Sequence, residues 1–185
     1  MREVCIIAVV VAVFAFPVGA QEAKQVVGWV ENALILPEQM LVPARLDTGV
    51  EHVSLAAENV KEFSKNGKRW VRFVIVQPDG TRSFLEREVI RSLKPKVSEG
   101  SVSEQPTVML GICLASQFSE IEVTLVNGGR TQHPLVLGRD YLAGRLVVDP
   151  SEEFTTEPEC MEGLRSTYRE TLPRWSSLVP LFVSK

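Results

Sequence analysis

Histidine is scarce in this chain. Its 185 residues hold two, His52 and His133, and no His-Glu-x-x-His pattern. Cysteine is nearly as rare: Cys5, Cys113 and Cys160. A zinc centre needs three or four converging nitrogen, sulfur or oxygen ligands, so no metal is expected. No Gly-x-Ser-x-Gly elbow is present, which argues against a serine nucleophile on an α/β sheet. The Gly-x-x-x-x-Gly-Lys-Ser/Thr phosphate loop is missing too, so ATP is not expected. Lys and Arg number 20 against 23 Asp and Glu, for a net charge of −3, and form no basic stripe. Nucleic acid is therefore not an expected partner. His133, next to Pro134 at a strand entrance, reads as structural.

One long apolar run exists, at the N-terminus. Arg2 precedes Val4 to Phe16, and Val18-Gly19-Ala20 offers small residues before Gln21-Glu22. This is the pattern of a secretory signal peptide over residues 1–20. A membrane anchor is the competing reading, but the run falls short of the roughly 20 residues a spanning helix needs. The expectation is an exported, periplasmic protein with no membrane anchor after cleavage. Cys5 would leave with the signal. Cys113 and Cys160 remain, and in an oxidising compartment they can pair. A buried Cys113 and an exposed Cys160 that never meet is the alternative.

Residues 21–150 read as short strands between turns. Val26 to Glu31 and Leu41 to Leu46 are strands. Asn66-Gly67 is a two-residue hairpin signal joining Val60–Phe63 to Arg69–Val76. Pro78-Asp79-Gly80 turns the chain into Arg82 to Arg91. Glu120 to Val126, Leu135 to Leu137 and Leu146 to Val148 follow, with a turn at Asn127-Gly128-Gly129. Frequent strands and little helical periodicity indicate an all-β barrel or sandwich. Residues 92–106 are polar: a solvated hairpin loop, or a flap over a substrate. Residues 151–185 form a C-terminal extension, an appendage with a short helix expected over Cys160 to Leu172.

The chemistry-bearing motif is Asp47-Thr48-Gly49, at the end of the second strand. Aspartic proteases present a catalytic carboxylate on such a turn. Two carboxylates share one proton across a water: one accepts from the water, the other polarises the scissile carbonyl. Gly49 lets the backbone turn tightly and approach a symmetry mate, and the Thr48 hydroxyl can lock two turns together. A lone Asp-Thr-Gly also occurs as an ordinary turn without catalysis.

Leu46 to Glu51, followed by Val136-Leu137-Gly138-Arg139-Asp140-Tyr141-Leu142, resembles the retropepsin pattern. The stretch from Gly28-Trp29 through Gly67 to Phe73 and on to Val147-Val148-Asp149-Pro150-Ser151 resembles a bacterial retropepsin-like aspartic endopeptidase family. Its members are often labelled ATP-dependent zinc proteases or RimK-associated endopeptidases. The resemblance covers about residues 26–151. It implies a retropepsin-like closed barrel, Asp47 as catalytic residue, and Thr48, Gly49, Glu51, Gly138 and Arg139 as support, with Glu51 paired to Arg139. Val50 and His52-Val53-Ser54 depart from the usual residues after Asp-Thr-Gly, which bears on substrate choice. With only one Asp-Thr-Gly, the catalytic pair requires a homodimer. The expected function is peptide or protein hydrolysis without a cofactor. The rival is a retropepsin-fold binding module that has lost hydrolysis.

Overall fold

The computed structural model describes residues 23–94 and 104–160. The signal segment, the middle of the 92–106 stretch and the helix expected within 160–172 lie outside the described residues. The strands are β1 (Gln25–Leu36), β2 (Met40–Leu46), β3 (Val53–Lys65), β4 (Lys68–Val76), β5 (Arg82–Glu88), β6 (Arg91–Leu93), β7 (Gln105–Leu114), β8 (Gln117–Asn127), β9 (Leu135–Leu137) and β10 (Leu146–Glu153). One turn of helix, α1 (Arg139–Leu142), follows β9. The fold is all-β, as expected.

Strands run β1-β2-β9-β3-β8-β7, and β7 pairs back onto β1, which closes a six-stranded barrel. Alternation dictates which side chains fill it. Met40, Val42, Ala44 and Leu46 of β2 point inward while Leu41 and Arg45 point out. Val53, Leu55, Val108, Leu110, Ile112, Val123 and Leu125 complete the interior. Each fully buried aliphatic side chain contributes roughly 1.5–3 kcal/mol.

β3 serves two sheets. Its first half pairs with β8 and β9 inside the barrel. After an irregularity between Glu58 and Lys61, where Asn59 has φ 53°, its second half pairs with β4. β5 adds to β4 on the far side. The Asn66-Gly67 turn has positive φ at both residues, 53° and 74°, the geometry that favours Asn-Gly in two-residue hairpins. The strands expected there are thus longer than the sequence suggested.

The polar stretch after Arg91 is a hairpin at its base: Arg91–Leu93 pair with Gln105–Thr107. Lys94 and Glu104 form an ion pair of 3.3 Å across its neck. β10 runs through the expected boundary at residue 150 and reaches Glu153.

β1 changes partner along its length. Gln25–Gly28 pair in parallel with β10, whereas Ala33–Leu36 pair antiparallel with β7. Glu31 lies at the changeover, fully buried. Its carboxylate accepts the N–H of Gly28 at 2.7 Å, of Thr155 at 3.0 Å and of Thr156 at 3.0 Å. It also accepts the Thr155 and Thr156 hydroxyls. Burial alone would raise its pKa; the hydrogen bonds from Thr155, Gly28 and Thr156 together outweigh this and hold it below the ordinary carboxylate value. The segment after β10 is thereby strapped to the barrel. Farther along, Cys160 is disulfide-bonded to Cys113 of β7, and the N–H of Glu159 donates to Ala115 O at 2.7 Å.

Candidate active site

Asp47 follows β2 directly, and β9 lies between β2 and β3. This topology fixes the Asp-Thr-Gly turn. The Asp47 N–H donates to Leu137 O at 2.9 Å, continuing the β2–β9 ladder past the strand end. The Gly49 N–H donates to Asp47 Oδ1 at 2.9 Å. Gly49 does not adopt positive φ. What it supplies is room: a Cβ there would sit 3.1 Å from Asp47 Oδ1.

The Gly-Arg segment packs behind the turn. The N–H of Arg139 donates to Val50 O at 3.0 Å, and that of Asp140 to Glu51 O at 2.9 Å. These two bonds hold the chain after Gly49 against the start of α1. The contact is so close that a Cβ on Gly138 would lie 2.5 Å from both Glu51 O and His52 O. Only glycine fits. Tyr141 anchors the helix from below: it is fully buried and its hydroxyl donates to Gln117 O at 2.8 Å. Burial pushes its phenol well above the ordinary tyrosine value.

Arg139 joins the loop in another way than expected. Its Nη1 donates to Thr48 O at 3.1 Å. No ion pair links it to Glu51 among the described residues. The expected pairing is therefore corrected. The guanidinium clips the Asp47 turn through a backbone carbonyl, and both side chains remain exposed. Arg139 and Gly138 support the loop; Glu51 does so through its backbone carbonyl.

The Glu51 carboxylate instead sits with His52 and Asp140, their ligand atoms within 4.8 Å of one another. His52 Nδ1 and Asp140 Oδ2 are 2.8 Å apart. Three such donors match the count of an open zinc site. All three are exposed, and two of them, His52 and Asp140, already contact one another.

Sequence reasoning missed one neighbour. Arg45, two residues before Asp47 on the outer face of β2, places Nη2 3.2 Å from Asp47 Oδ2. The period of two along a strand was the available signal. Arg45 also lines an open groove of about 400 Å³ on the barrel wall. Ser54, Val136, Arg130 and His133 line it as well, and none of the lining residues is acidic. His133 meets Trp29 edge-on, with ring centroids 6.0 Å apart. Val50 (38% exposed) leaves apolar surface beside the turn. Among the described residues no second carboxylate faces Asp47; its ion-pair partner is Arg45.

An aspartate on a turn backed by Gly-Arg, in a closed six-stranded barrel, defines a retropepsin-like protein. The family model described as retropepsin-like aspartic endopeptidase RimB matches residues 26–159. The chain belongs to this RimB-like family. A crystal structure of a Legionella pneumophila protein of unknown function superposes with a TM-score of 0.62 at 32% identity, covering 73% of this chain and 100% of the other. Proteins named probable alpha-L-glutamate ligase are also similar. The one from Shewanella halifaxensis is 29% identical over 140 residues, 71% of this chain and 31% of its own length. That from Desulfotalea psychrophila is 27% identical over 165 residues, 84% of this chain and 34% of its own length. The chain thus spans about a third of the ligase-named relatives.

Proposed function

We propose that this protein is an exported aspartic endopeptidase that cleaves acidic peptides with a pair of Asp47 residues across a homodimer. The observation that carries the reading is the Asp47 turn. Its carboxylate is oriented by the Gly49 N–H and its backbone is held from behind by Leu137, Arg139 and Asp140. Preorganisation of this kind is what a catalytic carboxylate requires. In the reaction one Asp47 accepts a proton from water, and the oxygen attacks the peptide carbonyl. The protonated mate polarises that carbonyl, and the amine leaves with a proton as the C–N bond breaks.

The homodimer follows from chemistry. One chain supplies one Asp-Thr-Gly, and a pair needs two. The exposed Val50 and the Thr48 hydroxyl, which has no hydrogen-bond partner among the described residues, suit a contact across a two-fold axis. Export is supported by the N-terminal pattern and by the Cys113–Cys160 bond, which suits an oxidising compartment.

The acidic substrate class is supported by the groove that Arg45, the ion-pair partner of Asp47, lines together with Arg130 and no acid. The names of the ligase relatives agree with it, since an alpha-L-glutamate ligase joins glutamate. A binding module without hydrolysis is the second reading. The Arg45–Asp47 ion pair favours it, because it occupies the carboxylate.

Incubation of residues 21–185 with glutamate-rich peptides, analysed by mass spectrometry, tests the proposal. Cleavage by the wild type and none by Asp47→Asn is the expected result. Binding without cleavage at any pH selects the second reading.

A further inference from the structure

Both oxygens of Asp47 are engaged. Oδ1 accepts the Gly49 N–H at 2.9 Å, and Oδ2 lies 3.2 Å from Arg45 Nη2. A carboxylate that shares a proton with its mate and binds a water cannot have both oxygens held by other donors. On Oδ2 the Arg45 guanidinium competes with a shared proton and with an attacking water for the same carboxylate. The same guanidinium also lines the groove, whose lining offers it no acidic partner. It therefore has two places to go: Asp47, or an anion brought in from outside.

We propose that Arg45 is a latch on Asp47, opened by the carboxylate of an incoming ligand. The idea rests on the reading of Asp47 as catalytic. Arg45 is a positioning residue in it, acting through Asp47. With the groove empty, the guanidinium ties Asp47 down. A ligand carboxylate in the groove draws Arg45 away as a charge-assisted, bidentate partner. Asp47 Oδ2 is then released for the shared proton and the water. The energetics permit this exchange. The Arg45 and Asp47 side chains are 46% and 29% exposed, and an ion pair that open to water is weak. Opening it therefore restrains the free enzyme by no more than about fivefold. Arg130, also on the groove, donates to the Pro78 carbonyl and stays at the far side as a second cationic contact. Acidic ligands offset the small cost of opening by pairing with Arg45 themselves, whereas neutral peptides offer Arg45 no replacement partner and meet a site that is open up to about fivefold less often.

The test follows the Asp47 carboxyl carbon by NMR, assigned by its loss in Asp47→Asn, during titration with hexaglutamate or the neutral hexaglutamine. The wild-type signal moves with hexaglutamate and not with hexaglutamine. In Arg45→Gln the signal of the free protein is already displaced, and hexaglutamate no longer moves it. Calorimetry shows weaker hexaglutamate binding by that variant, and Arg45→Lys retains a partial response. A wild-type signal that ignores hexaglutamate, or moves equally with both peptides, overturns the latch. So does an Arg45→Gln signal that responds as the wild type does. The peptidase reading fails separately: the signal responds as described, but no peptide is cleaved.

Discussion

The backbone N–H of Thr155 points at Glu31 Oε1, 3.0 Å away, where β1 exchanges β10 for β7 as its partner. A strand that changes partners leaves backbone donors without a ladder. One buried carboxylate takes up that of Gly28 in β1, and with it those of Thr155 and Thr156 just after β10. The strap after β10 thus depends on one side chain, 124 and 125 positions along the chain from Thr155 and Thr156.

Glu31→Ala removes the acceptor and leaves buried donors unpaired, so it costs roughly 3 kcal/mol. Glu31→Gln keeps part of the hydrogen bonding and costs less. The carboxyl of the folded protein titrates below its ordinary value of 4.5. The unfolded chain then binds the proton first as the medium is acidified. Its contribution to stability is full above about pH 4.5 and is lost as pH falls through the folded value. Chemical denaturation of wild type and Glu31→Gln between pH 7 and pH 3 checks this. The gap between them narrows in acid. A gap that widens refutes the assignment.

Gly138→Ala places a methyl 2.5 Å from Glu51 O and His52 O. Both are backbone atoms, so relief requires the Gly-Arg segment to retreat from the Asp47 turn. The expected loss is roughly 1–3 kcal/mol of stability. Cleavage falls with it, because the bonds from the Arg139 and Asp140 N–H groups to Val50 and Glu51 lengthen. Gly129→Ala, whose added Cβ would meet only Glu58 Oε1 at 3.7 Å, serves as the tolerated control in the melting assay.

The bond between Cys113 and Cys160 spans a sequence separation of 47. Loop entropy sets its contribution at up to about 4 kcal/mol. Thermal melts with and without a dithiol reductant measure it. The wild type melts lower when reduced, and Cys113→Ser/Cys160→Ser melts low in both conditions. A wild type indifferent to the reductant indicates that the thiols are not paired in solution.

Local signals carried the sequence reading where they sufficed. The apolar run Leu41–Leu46, the Asn66-Gly67 turn and the Asp-Thr-Gly with its distant Gly138-Arg139 all left marks that neighbouring residues explain. Long-range choices left none. Nothing near Glu31 indicates that Thr155 and Thr156 will fold onto it. Arg139 illustrates a finer limit: its approach to the loop was legible, but whether its guanidinium takes the Glu51 carboxylate or the Thr48 carbonyl depends on side-chain direction. The Arg45–Asp47 contact was within reach, since residues two apart on a strand share a face.

The demand for two Asp47 residues makes the last prediction quantitative. If the shared proton needs one carboxylate from each subunit, a mixed dimer of wild type and Asp47→Asn is inactive. Only dimers with two intact chains cleave. Mixed at equal amounts and allowed to exchange subunits, the two proteins retain about a quarter of the activity of the same total of wild-type chains, because random pairing squares the intact fraction. Independent monomeric sites retain about a half instead. Titrating Asp47→Asn into a fixed amount of wild type sharpens the contrast: activity declines as wild-type chains are drawn into inactive pairs. Asp47→Asn is nearly isosteric, so dimerisation itself survives, and sedimentation of the mixture verifies it. Activity that stays constant as the variant is added, with exchange demonstrated, shows that a single Asp47 suffices and removes the paired-carboxylate mechanism.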